Sequence, residues 1–106
     1  MNINKLNHVL INSNILKMMH IDIDPITMKY NVLFSLSDNE DVVDEVSFYF
    51  YDVSNMRMED IGGGLTQFMH LKISVIDVSN DRNKYKLEDV EDFKISFEFN
   101  SVDLLK

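Results

Sequence analysis

Asp77, Ser79, Asp81, Asn83 and Glu88 stand at offsets 1, 3, 5, 7 and 12, the oxygen-ligand spacing of a helix–loop–helix calcium loop. Such a loop needs Gly for its sharp turn where this chain has Arg82, and an apolar residue where it has Lys84. The segment before it alternates like a strand, so the run reads as an acidic β-turn. Gly62-Gly63-Gly64 offers backbone N–H groups to a phosphate, but no Lys follows closely and the run leads into a strand instead of opening a helix. A loop is the reading that remains. His8, His20 and His70 share no spacing, and a metal would require them to converge from three separate segments. Asp22 and Asp24 are a carboxylate pair two residues apart, which on a strand only places them on one face. No serine carries an elbow motif, and there is no cysteine to act as nucleophile or thiolate ligand. These residues call for no cofactor and no metal, and an enzyme is the weaker expectation.

Binding chemistry has a stronger signal. Tyr49 and Tyr51 alternate with Phe48 and Phe50, so the tyrosines project from the face opposite the phenylalanines. Tyrosine suits a mixed surface because its ring is apolar and its hydroxyl bonds. Beside them lies an acidic stretch: Asp38, Glu40, Asp41, Asp44, Glu45 and Asp52 fall between Lys29 and Arg57, where no Lys or Arg occurs. If both faces of the sheet are covered, the tyrosines become core instead; Phe68 and Ile76, also at polar-face positions of their strand, fit either arrangement.

The elements that would hold these residues are written in four period-2 stretches: Ile26 to Leu36, Val46 to Phe50, Met69 to Val75 and Phe93 to Phe99. Mostly polar residues between the apolar ones predict antiparallel strands with one wet face. Val9-Leu10-Ile11 and Met19 to Ile23 are two further short strands around the turn Asn12-Ser13-Asn14. Asp24-Pro25 breaks the pattern before a long strand from Ile26 to Ser37, which pairs with Glu45 to Asp52 as a hairpin. Asn55 to Ile61 admits one or two helical turns, ended by the glycines. Leu65 to Val78 is a strand whose phase slips near Ser74-Val75-Ile76, as at a β-bulge or an end of pairing. Asn80 to Asn83 is a turn, Lys84 to Leu87 a short strand, and Phe93 to Phe99 the last strand, with Val102-Asp103-Leu104 covering an edge. Asp-Val-Ser-Asn occurs at 52–55 and again at 77–80. Two copies are too few for a repeat architecture, and strand-ending turn chemistry accounts for both. The expected fold is one mainly antiparallel β domain over 1–106, a sandwich or strongly curled sheet of five to seven strands.

The chain has 106 residues, enough for one core without a staple. The absence of cysteine suits a reducing cytoplasm, and residues 1–20 lack the basic start and apolar centre of a signal peptide. No apolar run is long enough to span a membrane. A net charge of −8 repels phosphate backbones and speeds encounter with basic partners, so nucleic acid is disfavoured.

The pattern Phe48-Tyr49-Phe50-Tyr51-Asp52-Val53, then Ile73 to Asp77, then Tyr85 to Glu91 leading into Ile95-Ser96-Phe97, resembles small bacterial β proteins, some of which are found as immunity partners of polymorphic toxins. The resemblance covers about the last two-thirds of the chain and carries no catalytic residue across. It implies an acidic, cytoplasmic protein that neutralises a basic toxin. The expected function is non-catalytic protein binding, with Asp38, Glu40, Asp41, Asp44 and Glu45 steering a basic partner and Tyr49 and Tyr51 anchoring it. Two alternatives stay open: a small-molecule or carbohydrate-binding β module, and a homodimer built on an exposed sheet edge.

Overall fold

The computed structural model describes residues 2–38, 45–76 and 84–105. Helix α1 (Ile3–Ile11) is followed by eight strands: β1 (Ile15–Ile23), β2 (Tyr30–Ser37), β3 (Glu45–Tyr51), β4 (Ser54–Met58), β5 (Leu71–Val75), β6 (Tyr85–Asp89), β7 (Ile95–Phe99) and β8 (Ser101–Leu105). They form two four-stranded sheets, ordered β1-β2-β3-β8 and β4-β7-β6-β5, with every pairing antiparallel. The expected antiparallel sandwich is what forms, with eight described strands where five to seven were expected.

The sheets are joined by two strands that bend from one to the other. β3 runs into β4 through Asp52 and Val53, and β7 runs into β8 through Asn100 alone. At this corner the Asn100 N–H donates to Tyr51 O at 3.0 Å and the Val53 N–H to Tyr30 O at 2.8 Å. Asp52 and Asn55 take left-handed backbone angles, φ 55° and 52°, which Asp and Asn tolerate better than most side chains. Each half of the chain is therefore a meander, β1-β2-β3 or β5-β6-β7, whose final segment, β4 or β8, crosses to the other sheet and pairs there.

Inward-facing residues of both sheets make the core: Val32, Phe34 and Leu36 from β2, Phe48 and Phe50 from β3, Leu71 and Ile73 from β5, Leu87 from β6, and Ile95, Phe97 and Phe99 from β7. Phe50 sits between the sheets, its ring centroid 4.9 Å from Phe97 and 4.8 Å from Phe99 in edge-on contacts.

Several boundaries differ from the sequence expectation. Val9-Leu10-Ile11 is the end of α1, not a strand: Asn2 caps the helix by accepting from Lys5 N–H at 3.0 Å, and Leu6 and Leu10, one turn apart, are buried. Ile26 and Met28 belong to the β1–β2 turn, because the Asp24 carboxylate accepts from Ile26 N–H at 2.8 Å and holds the chain in a turn. Residues Ser54 to Met58 form β4 and not a helical turn; pairing with β7 decides it. Gly62, Gly63 and Gly64 do lie in a loop, all at positive φ. Leu65 to His70 is also loop, and buried Phe68 reaches the core from it. Of the two readings of the slip near Val75, a bulge does not form and an end of the strand does: pairing runs in register to Val75 opposite Tyr85, where β5 ends, with one further bond from the Ile76 N–H to Lys84 O. Phe93 precedes β7, exposed, with φ 56°.

Candidate functional site

On β3, Phe48 and Phe50 point into the core, so Tyr49 and Tyr51 stand on the outer face of the first sheet. They are half-buried side by side, ring centroids 4.8 Å apart and nearly perpendicular. The expectation of an outward tyrosine pair is met, and the alternative of tyrosines in the core is not. Strand pairing sets their neighbours. One row across the face is His20, Leu33, Tyr49 and Asp103; the row before it is Met18, Ser35, Ser47 and Leu105. Ser35 and Ser47 bond each other, Oγ to Oγ 2.7 Å, which satisfies two hydroxyls in the middle of that row.

Tyr51 is opposite Ser101 in register, but its hydroxyl reaches back along β8 and donates to Asp103 Oδ2 at 2.8 Å. The bond to the Asp103 carboxylate, followed by partial burial and the charge of Asp103, raises the Tyr51 pKa above its ordinary 10.0. The phenol is thus held neutral as a donor. Asp103 is exposed and keeps acceptor capacity for a group outside the chain.

The acids of the sequence expectation divide. Asp38 follows β2 and is exposed, and Glu45 opens β3 opposite Ser37, exposed on the same outer face as the tyrosines. Glu40, Asp41 and Asp44 lie outside the described residues, as do Asp77 to Asn83 of the calcium-like spacing. Glu88, the remaining member of that set, is on β6 with its carboxylate 3.3 Å from Lys86 Nζ. The two sheets differ in charge. In the first sheet β3 holds Glu45, β8 holds Asp103, β2 holds no charged residue and Lys17 lies on the edge strand β1, whereas the second sheet carries Arg57, Lys72 and Lys86 among its acids.

Other features have local roles. The histidines occupy separate elements, and among the described residues no three His, Cys, Asp or Glu side chains come together to hold a metal ion. His20 lies 3.6 Å from the Asp22 carboxylate, while Asp24 is used by its own turn, so Asp22 and Asp24 do not form an acid–base pair. Outside the second sheet an open groove is lined by Asn55, Arg57, Lys86, Ser96 and Glu98. Among the described residues, no helix is long and apolar enough to cross a membrane.

Sequence reasoning did not place Asp103, Leu33 or His20 beside the tyrosines. Val102-Asp103-Leu104 reads in the sequence as a segment covering an edge, but which strand it covers is a property of the crossover. Comparison with protein-family models, with curated proteins and with solved structures finds no match.

Proposed function

We propose that the chain is a non-catalytic protein-binding domain whose first-sheet outer face engages a basic protein, in the manner of a cytoplasmic immunity protein neutralising a basic toxin. One observation carries this: Tyr49, Tyr51 and Asp103 form a joined aromatic–acid cluster on the adjacent strands β3 and β8, which like β2 bear no Lys or Arg, Lys17 lying on the edge strand β1. Rigid aromatic rings supply contact area at small entropic loss, and a carboxylate already bonded to a tyrosine is pre-positioned for Arg or Lys. Glu45 on the face and Asp38 at its margin extend the negative field, and the sequence adds Glu40, Asp41 and Asp44 between them. Such a field acts mainly on the rate of encounter.

The test follows from that distinction. Glu40→Gln, Asp41→Asn and Asp44→Asn together are expected to slow association with a basic partner about tenfold at low salt and to flatten its salt dependence, with little change in dissociation. Stopped-flow or surface-based kinetics over a salt series reads both quantities. Association rates that do not move remove these acids from the interaction.

A further inference from the structure

Of the four edge strands, β5 and the start of β1 are covered, and β4 and β8 are only five residues long. α1 covers β5: the Asn7 side chain accepts from Ile73 N–H at 2.7 Å and donates to Ile73 O at 2.9 Å, taking the place of a neighbouring strand. The loop before β5 covers the start of β1, with Leu16 N–H bonded to Thr66 O and Phe68 N–H to Asn14 O. Beyond that point β1, at nine residues the longest strand, borders no other described strand along Met18 to Ile23. An edge this long and apolar invites pairing with another chain.

The direction of its backbone groups can be derived. The Asp24 N–H bonds Lys29 O, and Tyr30 O bonds the Val53 N–H on the side away from β1. In an antiparallel ladder alternate residues bond the neighbour, so Met18, His20 and Asp22 are turned to β2, while Met19, Ile21 and Ile23 present N–H and C=O to the open edge.

We infer that this edge pairs with the same edge of a second copy of the chain, antiparallel about a two-fold axis at Ile21. In that register Ile21 meets Ile21, Met19 meets Ile23, and His20 stands directly opposite Asp22 of the second copy. The match is self-complementary: each imidazole lies between its own Asp22, 3.6 Å away, and the carboxylate across the axis. On the other face, Ile21 and Ile23, 47% and 41% exposed, join a continuous apolar band with Val32 and Tyr30. The same register lays the β1–β2 turn, with Ile26 at its tip and 90% exposed, alongside Leu16 to Met18 of the second copy. Those residues form one wall of an open groove whose other wall includes Ile61 and Leu65. The dimer carries two copies of the tyrosine face on one eight-stranded sheet, and it stands or falls independently of the partner proposed above. Salt separates the two events: it weakens capture of a basic protein, and it strengthens self-association of a chain carrying −8.

Sedimentation velocity over a concentration series, together with residue-resolved amide exchange, tests the dimer. The expected result is a monomer–dimer equilibrium in which the Ile21 and Ile23 amides gain protection with dimer fraction, while those of His20 and Asp22 are protected throughout. Ile21→Pro removes an outward N–H that β2 does not use and is expected to raise the dimer Kd at least about tenfold. Ile26→Asp, at a site too exposed to disturb folding, is expected to raise it about threefold or more. His20→Asp is expected to weaken the dimer and the double swap His20→Asp with Asp22→His to restore it. A chain that stays monomeric at all concentrations, or a dimer indifferent to Ile21→Pro and Ile26→Asp whose Ile21 and Ile23 amides exchange freely, overturns the inference.

Discussion

The fold perturbs the Tyr51 phenol, and the perturbation reports on the proposed site. Its hydroxyl donates to Asp103, so the neutral form is favoured and the folded pKa lies above 10.0. The linked stability is fully present below that ordinary value and is lost as pH rises through the higher folded value. Ultraviolet titration is expected to place the Tyr51 phenol above 10.0, and Asp103→Asn to bring it back toward that ordinary value. A titration unchanged by Asp103→Asn contradicts the bond. Asp89 is buried for a different reason. Its Oδ1 accepts the His70 N–H at 3.0 Å, fixing the loop that enters β5, while Oδ2 has no hydrogen-bond partner among the described residues. Asp89→Ala should cost about 1–3 kcal/mol by leaving that part-buried N–H without its acceptor, and Asp89→Asn, which keeps an acceptor, should cost less. Denaturant melts of the two variants give the order directly. The alternation of Tyr49 and Tyr51 with phenylalanines made their outward position legible in the sequence. Nothing near Asp103 in the chain could reveal Tyr51, because 52 residues separate them.

At the scale of elements, the legible strands with apolar residues repeating every second position and buried are β2 from Tyr30, β3, β5 from Leu71, β6 and β7, and the expected strand from Met19 to Ile23 forms within β1. Where the pattern failed, side-chain bonding or tertiary pairing took precedence. Ile26 and Met28 continue the alternation of β2 in type, but the Asp24 side chain bonds the backbone ahead of it and makes a turn of them. Val9-Leu10-Ile11 fits strand or helix equally well as a three-residue run; the spacing of Ile3, Leu6 and Leu10 and the Asn2 cap settle it as helix. β4 has only Met56 and Met58 as an apolar alternation, too short to mark a strand by itself, and pairing with β7 decides it. α1 earns its place on β5 through Asn7, whose amide supplies the donor and the acceptor that an adjacent strand would have supplied. Asn7→Ala is expected to destabilise the fold by about 1–3 kcal/mol and to speed amide exchange at Ile73 ahead of the rest of the core. Exchange at Ile73 no faster than at Leu87 in that variant would show that α1 does not guard this edge.

For the whole molecule, the crossover is what makes a site from separate pieces of sequence. Because β8 leaves the second sheet to flank β3, Asp103 arrives beside Tyr49 and Tyr51, and the first sheet's outer face becomes acidic and aromatic while the second keeps the mixed charges. The fold class was legible from alternation, but the two-half architecture was not. The repeated Asp-Val-Ser-Asn marks the β3–β4 corner in its first copy, and its second copy does not correspond to the β7–β8 corner, where the chain reads Asn100-Ser101. Net charge of −8 was legible, but which acids come to stand beside the tyrosines depends on which strands become neighbours. The decisive measurement is parallel affinity capture from native lysate by the wild-type chain and by the Tyr49→Ala, Tyr51→Ala double variant, each at low and high salt, with bound proteins identified by mass spectrometry. The expected result is one basic protein held by the wild type most strongly at low salt and lost from the variant. Equal capture by both chains, or a blank for the wild type at either salt, would contradict a binding role for this face.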